Sequence, residues 1–246
     1  MSDIAVRQGI PLDERIIFAL DLPNPELALA MVDRLGGEIR FFKVGLELFL
    51  AGCWQVVDRI VDAGYQVMLD LKFYDIPATV SRAVAQLNNR GISLTTVHGN
   101  DPIIRGAVES RGPGLNILAV TVLTSFDPSG VEQMGFSGSV EDLVLARARR
   151  AVELGCDGVV ASAQEARRLR KELGDGFLMV TPGIRLADST RHDDQRRVAT
   201  PFQAIRDGSD YLVIGRPIRD AKAPERVIQE IKEQIQQGLA ARENVA

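Results

Sequence analysis

The chain has 246 residues, of which 46% are apolar, 25% charged and 5% aromatic, with a formal charge of −4. That apolar share excludes a disordered chain, and the acidic balance argues against nucleic acid or an anionic membrane as the main partner. Two cysteines, Cys53 and Cys156, are too few for a disulfide scaffold. No apolar run reaches the ~18 residues of a membrane span, and the opening MSDIAVRQGIPLDER lacks an apolar signal core, so a cytoplasmic protein is expected.

Along the chain, short aliphatic or β-branched runs alternate with longer amphipathic stretches. The runs are Arg15–Leu20, Phe41–Val44, Gln66–Leu71, Leu94–His98, Asn116–Leu123, Gly158–Ala161, Leu178–Thr181 and Tyr211–Ile214. Their length and composition predict buried parallel strands, and the stretches between them predict helices. Asn24-Pro25 supplies a cap and then a proline at the first helical position, and Ile76-Pro77 and Thr200-Pro201 repeat the arrangement. Gly64, Gly91 and Gly155 follow helical stretches and suit the position just past a helix end. Eight βα units in a chain of this length predict a (β/α)8 TIM barrel, which runs to ~250 residues. The competitor is a doubly wound open sheet, but Asp21-Leu22-Pro23-Asn24 after the first strand contains no G-x-G-x-x-G. One domain over 1–246, with its core at about 15–237, is the economical reading.

Two segments are too long and irregular for plain joints: Ser125–Ser139 after the fifth strand and Ile184–Val198 after the seventh. On the C-terminal face of a barrel both would be ligand loops, and the second a lid; a solvated surface loop is the alternative for each.

The residues that end the strands carry the functional signal. The first strand ends at Asp21, the second carries Lys43, and the third reads Met68-Leu69-Asp70-Leu71-Lys72-Phe73-Tyr74-Asp75. Asp70 and Lys72 are two apart, so on an extended chain they share a face, and with Asp21 and Lys43 they would converge at the barrel mouth. Two acids and two bases can neutralise one another; a salt-bridge network that merely closes the barrel top is the structural alternative. Thr181-Pro182-Gly183-Ile184-Arg185 and Gly215-Arg216-Pro217-Ile218 follow strands seven and eight, where such barrels hold phosphate. There glycine admits close approach and arginine offers a bidentate fork. His98 and His192 match no zinc spacing, Trp54 reads as core, and neither G-x-S-x-G nor a P-loop occurs.

The stretch Asp70-Leu71-Lys72-Phe73-Tyr74-Asp75-Ile76-Pro77-Ala78-Thr79 resembles the D-x-K-x-x-D-I-P-x-T signature of the orotidine 5′-phosphate decarboxylase family. Phe18–Asp21, Phe42–Gly45, Ala119–Ser125, Thr181–Arg185 and Val213–Arg216 match the same family in order, leaving out only the first dozen residues and the tail after Gln237. The resemblance implies a cofactor-free conversion of orotidine 5′-phosphate to uridine 5′-phosphate and CO₂, the last step of de novo pyrimidine nucleotide synthesis. It implies Lys72 as the group that offsets charge at C6 and then protonates it, with Asp70 against the substrate carboxylate. Lys43 and Asp21 would hold the ribose, Thr124 the pyrimidine, and Arg185, Gln195, Gly215 and Arg216 the phosphate. It also implies a homodimer in which Asp75 and Thr79 reach the neighbouring subunit's site. Magnesium-dependent relatives of the same superfamily share D-x-K-x-x-D but carry an acid on the second strand, where Lys43 would repel a cation. A catalytically silent nucleotide-binding barrel is the rival from outside enzymology; the intact Asp70, Lys72 and Asp75 set argues against it.

Overall fold

A computed structural model describes residues 9–126, 128–133, 135–186 and 197–243. Eight parallel strands close into a barrel in sequence order: Ile16–Ala19 (β1), Phe41–Gly45 (β2), Gln66–Phe73 (β3), Leu94–His98 (β4), Asn116–Val120 (β5), Gly158–Val160 (β6), Leu178–Thr181 (β7) and Tyr211–Ile214 (β8). β8 pairs back onto β1 through Ile16 and Leu212, so no edge is left open. This is the expected TIM barrel. Three strands end earlier than the sequence suggests, β6 by the single residue Ala161. β1 stops at Ala19, and β5 stops at Val120, beyond which the backbone N–H of Thr121 still donates to the Val160 carbonyl at 3.2 Å. β3 instead runs on to Phe73.

The pleat sorts each strand's side chains into two cores. Ile17, Phe41, Met68, Leu94, Leu118, Val180 and Tyr211 form one cluster, with Phe41 edge-on to Tyr211, and this fills the barrel. Their strand neighbours Phe18, Phe42, Leu69, Ile117 and Leu212 belong to the larger cluster between barrel and helices. Phe18, Phe41 and Phe42 are fully buried, each stabilising the fold by about 1.5–3 kcal/mol relative to exposure. At Gly158 the barrel wall leaves no room for a side chain: a Cβ there would lie 2.3 Å from the Leu178 carbonyl oxygen.

The helix punctuation is mostly as expected. The Asn24 side chain accepts the Leu27 N–H, and Thr200 with Gln203 forms a reciprocal capping box. Ile76 makes no side-chain cap, because it has no oxygen to offer; only the proline half of that signal operates. Gly64 and Gly155 adopt φ of 74° and 88° just past their helices. Gly91 is also left-handed, at 71°, but lies well beyond the helix Pro77–Ala85 and is no cap. Trp54 is half-buried rather than core: it opens the helix Trp54–Asp62, edge-on to Phe49, with the Arg90 guanidinium 4.1 Å above its ring. Within Ser125–Ser139 a short helix, Pro128–Gln133, buries Val131, so that segment is anchored. Among the described residues no helix is long and apolar enough to cross a membrane.

Candidate active site

On three adjacent strands the inward series continues beyond the hydrophobic interior into charge. On β1 it runs Ile17, Ala19, Asp21; on β2, Phe41, Lys43; on β3, Met68, Asp70. These side chains open into a cavity of about 540 Å³ at the C-terminal end of the strands, a volume suited to a small organic ligand. Its floor is apolar, from Met68, Val160 and Val213.

The charges form one alternating chain. Lys43 Nζ lies 2.8 Å from Asp21 Oδ1 and 3.8 Å from Asp70 Oδ2, and Lys72 Nζ lies 2.8 Å from the same Asp70 oxygen. The central pair is nearly buried, with side chains 9% exposed for Lys43 and 11% for Asp70, whereas Asp21 is 50% exposed. A buried carboxylate is tolerable only if its partners outweigh the lost hydration. Burial opposes the charge on Asp70, but Lys43, Lys72 and the Thr96 hydroxyl together hold its carboxyl below the usual carboxylate range. Asp70 is therefore anionic at neutral pH.

Lys72 reaches Asp70 by a route the spacing argument did not contain. The β3–β4 register runs Met68 to Leu94 and Leu69 to Thr95, then jumps to Phe73 opposite Val97. Asp70, Leu71 and Lys72 thus bulge out against Thr96 alone, and Lys72 sits in the left-handed region at φ 48°. The two side chains meet, but not because they are alternate residues of a regular strand. A non-glycine residue in that region costs about 1–3 kcal/mol unless its surroundings hold it. Thr96 is fully buried and does so: its Oγ1 accepts the Lys72 backbone N–H at 2.9 Å and donates to Asp70 Oδ1 at 2.8 Å.

Across the cavity lie Thr124, Arg185, Gly215 and Arg216. Gly183, at φ 79°, turns the chain toward Arg185, and a Cβ on Gly215 would lie 3.3 Å from that of Ala19. Both glycines keep backbone close to the cavity wall, beside two guanidinium-bearing side chains. Thus Asp21, Lys43, Asp70, Lys72, Thr124, Arg185, Gly215 and Arg216 share one cavity. Asp75 and Thr79 do not line it: Asp75 is exposed beyond the end of β3, and Thr79 is half-buried on the helix Pro77–Ala85. They lie beside Tyr74 and Ile76, large apolar side chains 67% and 66% exposed. Gln195 lies outside the described residues, as do His192 and most of the expected lid. His98 stands apart from the cavity, edge-on to Tyr74 at 4.9 Å; burial, then Arg147 and Lys72, push its imidazole below the usual range.

Two residues escaped the sequence reading. Thr96 is one; the signal was a Thr-Thr pair in an otherwise aliphatic strand, since buried hydroxyls must find partners. The other is Arg219, one helical turn beyond Arg216, which lines the cavity and donates from Nη1 to the Asp21 carbonyl at 2.9 Å.

A closed βα barrel with buried, mutually paired acids and bases at its mouth and glycine–arginine loops after β7 and β8 has the build of a barrel enzyme for phosphorylated substrates. The sequence model of the Orotidine 5'-phosphate decarboxylase / HUMPS family matches residues 14–231, and the chain belongs to that family. It is 48% identical over 242 residues to the orotidine 5'-phosphate decarboxylase of Methylococcus capsulatus, covering 98% of this chain and 100% of that one. The Nitrobacter winogradskyi enzyme of the same name is 50% identical over 227 residues, 92% of this chain and 94% of that one. The crystal structure of orotidine 5'-phosphate decarboxylase from Lactobacillus acidophilus superposes with a TM-score of 0.79 at 35% identity, covering 90% of this chain and 99% of that one.

Proposed function

We propose that this chain converts orotidine 5′-phosphate to uridine 5′-phosphate and CO₂ in pyrimidine nucleotide synthesis, without a metal or organic cofactor. The observation that carries the reading is the Lys43–Asp70–Lys72 array inside a cavity that also holds Arg185 and Arg216. Breaking the bond from C6 to the carboxylate leaves the electron pair on C6, in an orbital the pyrimidine ring cannot delocalise. A fixed ammonium is then the stabilising group, and in a low-dielectric cavity it needs no reorganisation as charge develops. Lys72 fills that role, held by Asp70 and by the bulge that aims it. It next delivers its proton to C6, ends neutral, and regains a proton from water. Asp70, anionic at neutral pH, faces the departing carboxylate and orients the two lysines.

Lys43 and Asp21 hold the ribose hydroxyls, Thr124 the pyrimidine, and Arg185, Gln195, Gly215 and Arg216 the phosphate. Phosphate is remote from C6, so its binding energy serves to order the loops around the reacting centre. Two ammonium groups flanking Asp70 occupy the ground a divalent cation would need, which favours this reaction over the magnesium-dependent chemistry of its superfamily. Asp75 and Thr79, exposed or half-buried outside the cavity and next to an apolar surface, suit a homodimer in which each subunit completes the other's site. The test is Lys72→Ala. Turnover falls by at least about 10³-fold, the share expected of electrostatic stabilisation and general-acid catalysis together, while circular dichroism stays that of the parent. A near-normal rate overturns the mechanism.

A further inference from the structure

Arg197, where the described residues resume after β7, is a side chain the mechanism has not used. Arg197 Nη1 pairs with Glu165 on the helix Ala163–Leu173, and its Nη2 donates to the carbonyls of Val122 at 3.2 Å and Leu123 at 3.0 Å. Those two residues immediately precede Thr124 and line the cavity. Two residues beyond Arg197, Ala199 bridges to Ile184: the Ala199 N–H donates to Gly183 at 3.2 Å and the Arg185 N–H donates to Ala199 at 2.9 Å. One guanidinium therefore joins three parts: the stem that carries Arg185, the exit of β5 that carries Thr124, and a helix behind both.

The pair is buried, Glu165 at 3% and Arg197 at 11% side-chain exposure, yet Glu165 Oε2 and Arg197 Nε have no hydrogen-bond partner. A half-satisfied buried ion pair is a poor source of stability, because desolvation consumes much of its attraction. What it does supply is geometry. We infer that Arg197 is a positioning residue that clasps the Gly183–Arg185 stem to the β5 exit and so sets the span between the phosphate-holding and base-holding sides of the cavity. The inference rests on the decarboxylase reading above.

The experiment compares wild type with Arg197→Ala and with the double variant Arg197→Ala/Glu165→Ala. The single variant strands a buried carboxylate and melts lower; the double variant removes the stranded charge and recovers melting temperature. Both lose about tenfold or more in kcat/KM for orotidine 5′-phosphate and in affinity for uridine 5′-phosphate, while affinity for uridine, which cannot reach the stem, changes less than about threefold. Recovery of turnover and nucleotide affinity along with stability in the double variant overturns the inference, since charge balance alone would then account for Arg197. If wild type itself does not turn over orotidine 5′-phosphate, the decarboxylase reading fails. Amide exchange then decides the clasp: faster exchange at Arg185 and Ala199 in the double variant supports it, and unchanged exchange overturns it.

Discussion

Thr96→Val removes one hydroxyl and leaves the shape of a buried side chain almost unchanged. Two groups lose a partner: the Lys72 backbone N–H, 2.9 Å away, and Asp70 Oδ1, 2.8 Å away. An orphaned buried donor costs about 1–3 kcal/mol, and a hydrogen bond to a charged group contributes about 1.5–3 kcal/mol. The Lys72 side chain is 32% exposed, so water can reach part of the bulge and the sum is discounted to about 2–4 kcal/mol. At about 2–4 °C per kcal/mol for a chain of this size, the melting temperature drops by roughly 5–15 °C. The deficit depends on pH in a defined direction. Asp70's folded pKa lies below its unfolded value, so its stabilising contribution is present above the unfolded value of about 4 and disappears as pH falls through the folded value. Loss of the Thr96 bond raises the folded value, so the gap between variant and wild type is full at neutral pH and narrows below about pH 4. Turnover falls with stability because the bulge no longer fixes Lys72, and Thr96→Ser, which keeps the hydroxyl, retains most of both. Calorimetry across pH with parallel rate measurements checks this. A Thr96→Val protein that melts within about 2 °C of wild type and turns over normally refutes the role given to the hydroxyl.

Two further outcomes follow from the same geometry. Arg216→Ala weakens uridine 5′-phosphate binding by about 10–100-fold, the equivalent of ~1.5–3 kcal/mol for charge-assisted hydrogen bonds, and leaves uridine nearly unaffected; equal losses for both ligands in a competition assay would contradict a phosphate role. Mixing inactive Asp75→Ala with inactive Lys72→Ala protein restores activity through hybrid dimers that carry one intact site; silence after demonstrated subunit exchange would rule out the shared site.

The fold was legible because a barrel is periodic. Most strands are short apolar runs with glycine, proline or asparagine close to at least one end, and eight of them leave few topologies open. Asp21, Lys43 and Asp70 were legible for a related reason: they continue the inward series of Ala19, Phe41 and Met68, so the pleat that builds the core also aims them. Lys72 shows the limit of that logic. Its placement comes from a register jump held by Thr96, a contact between residues 24 apart in sequence that no period on β3 reveals. Arg197 shows a second limit, since its partners Glu165 and Val122 come from two other βα units and meet only when the barrel closes. The family motifs supplied the roles proposed for Asp75 and Thr79, which neither spacing nor the cavity suggests, because a site that two subunits would share has no signature within one chain.

Metal-free decarboxylation is read by following the ultraviolet absorbance of orotidine 5′-phosphate when purified protein is added in excess EDTA. The orotate band falls and uridine 5′-phosphate is the product. An unchanged spectrum, with EDTA or with added magnesium and with protein shown to be folded, would contradict the decarboxylase reading.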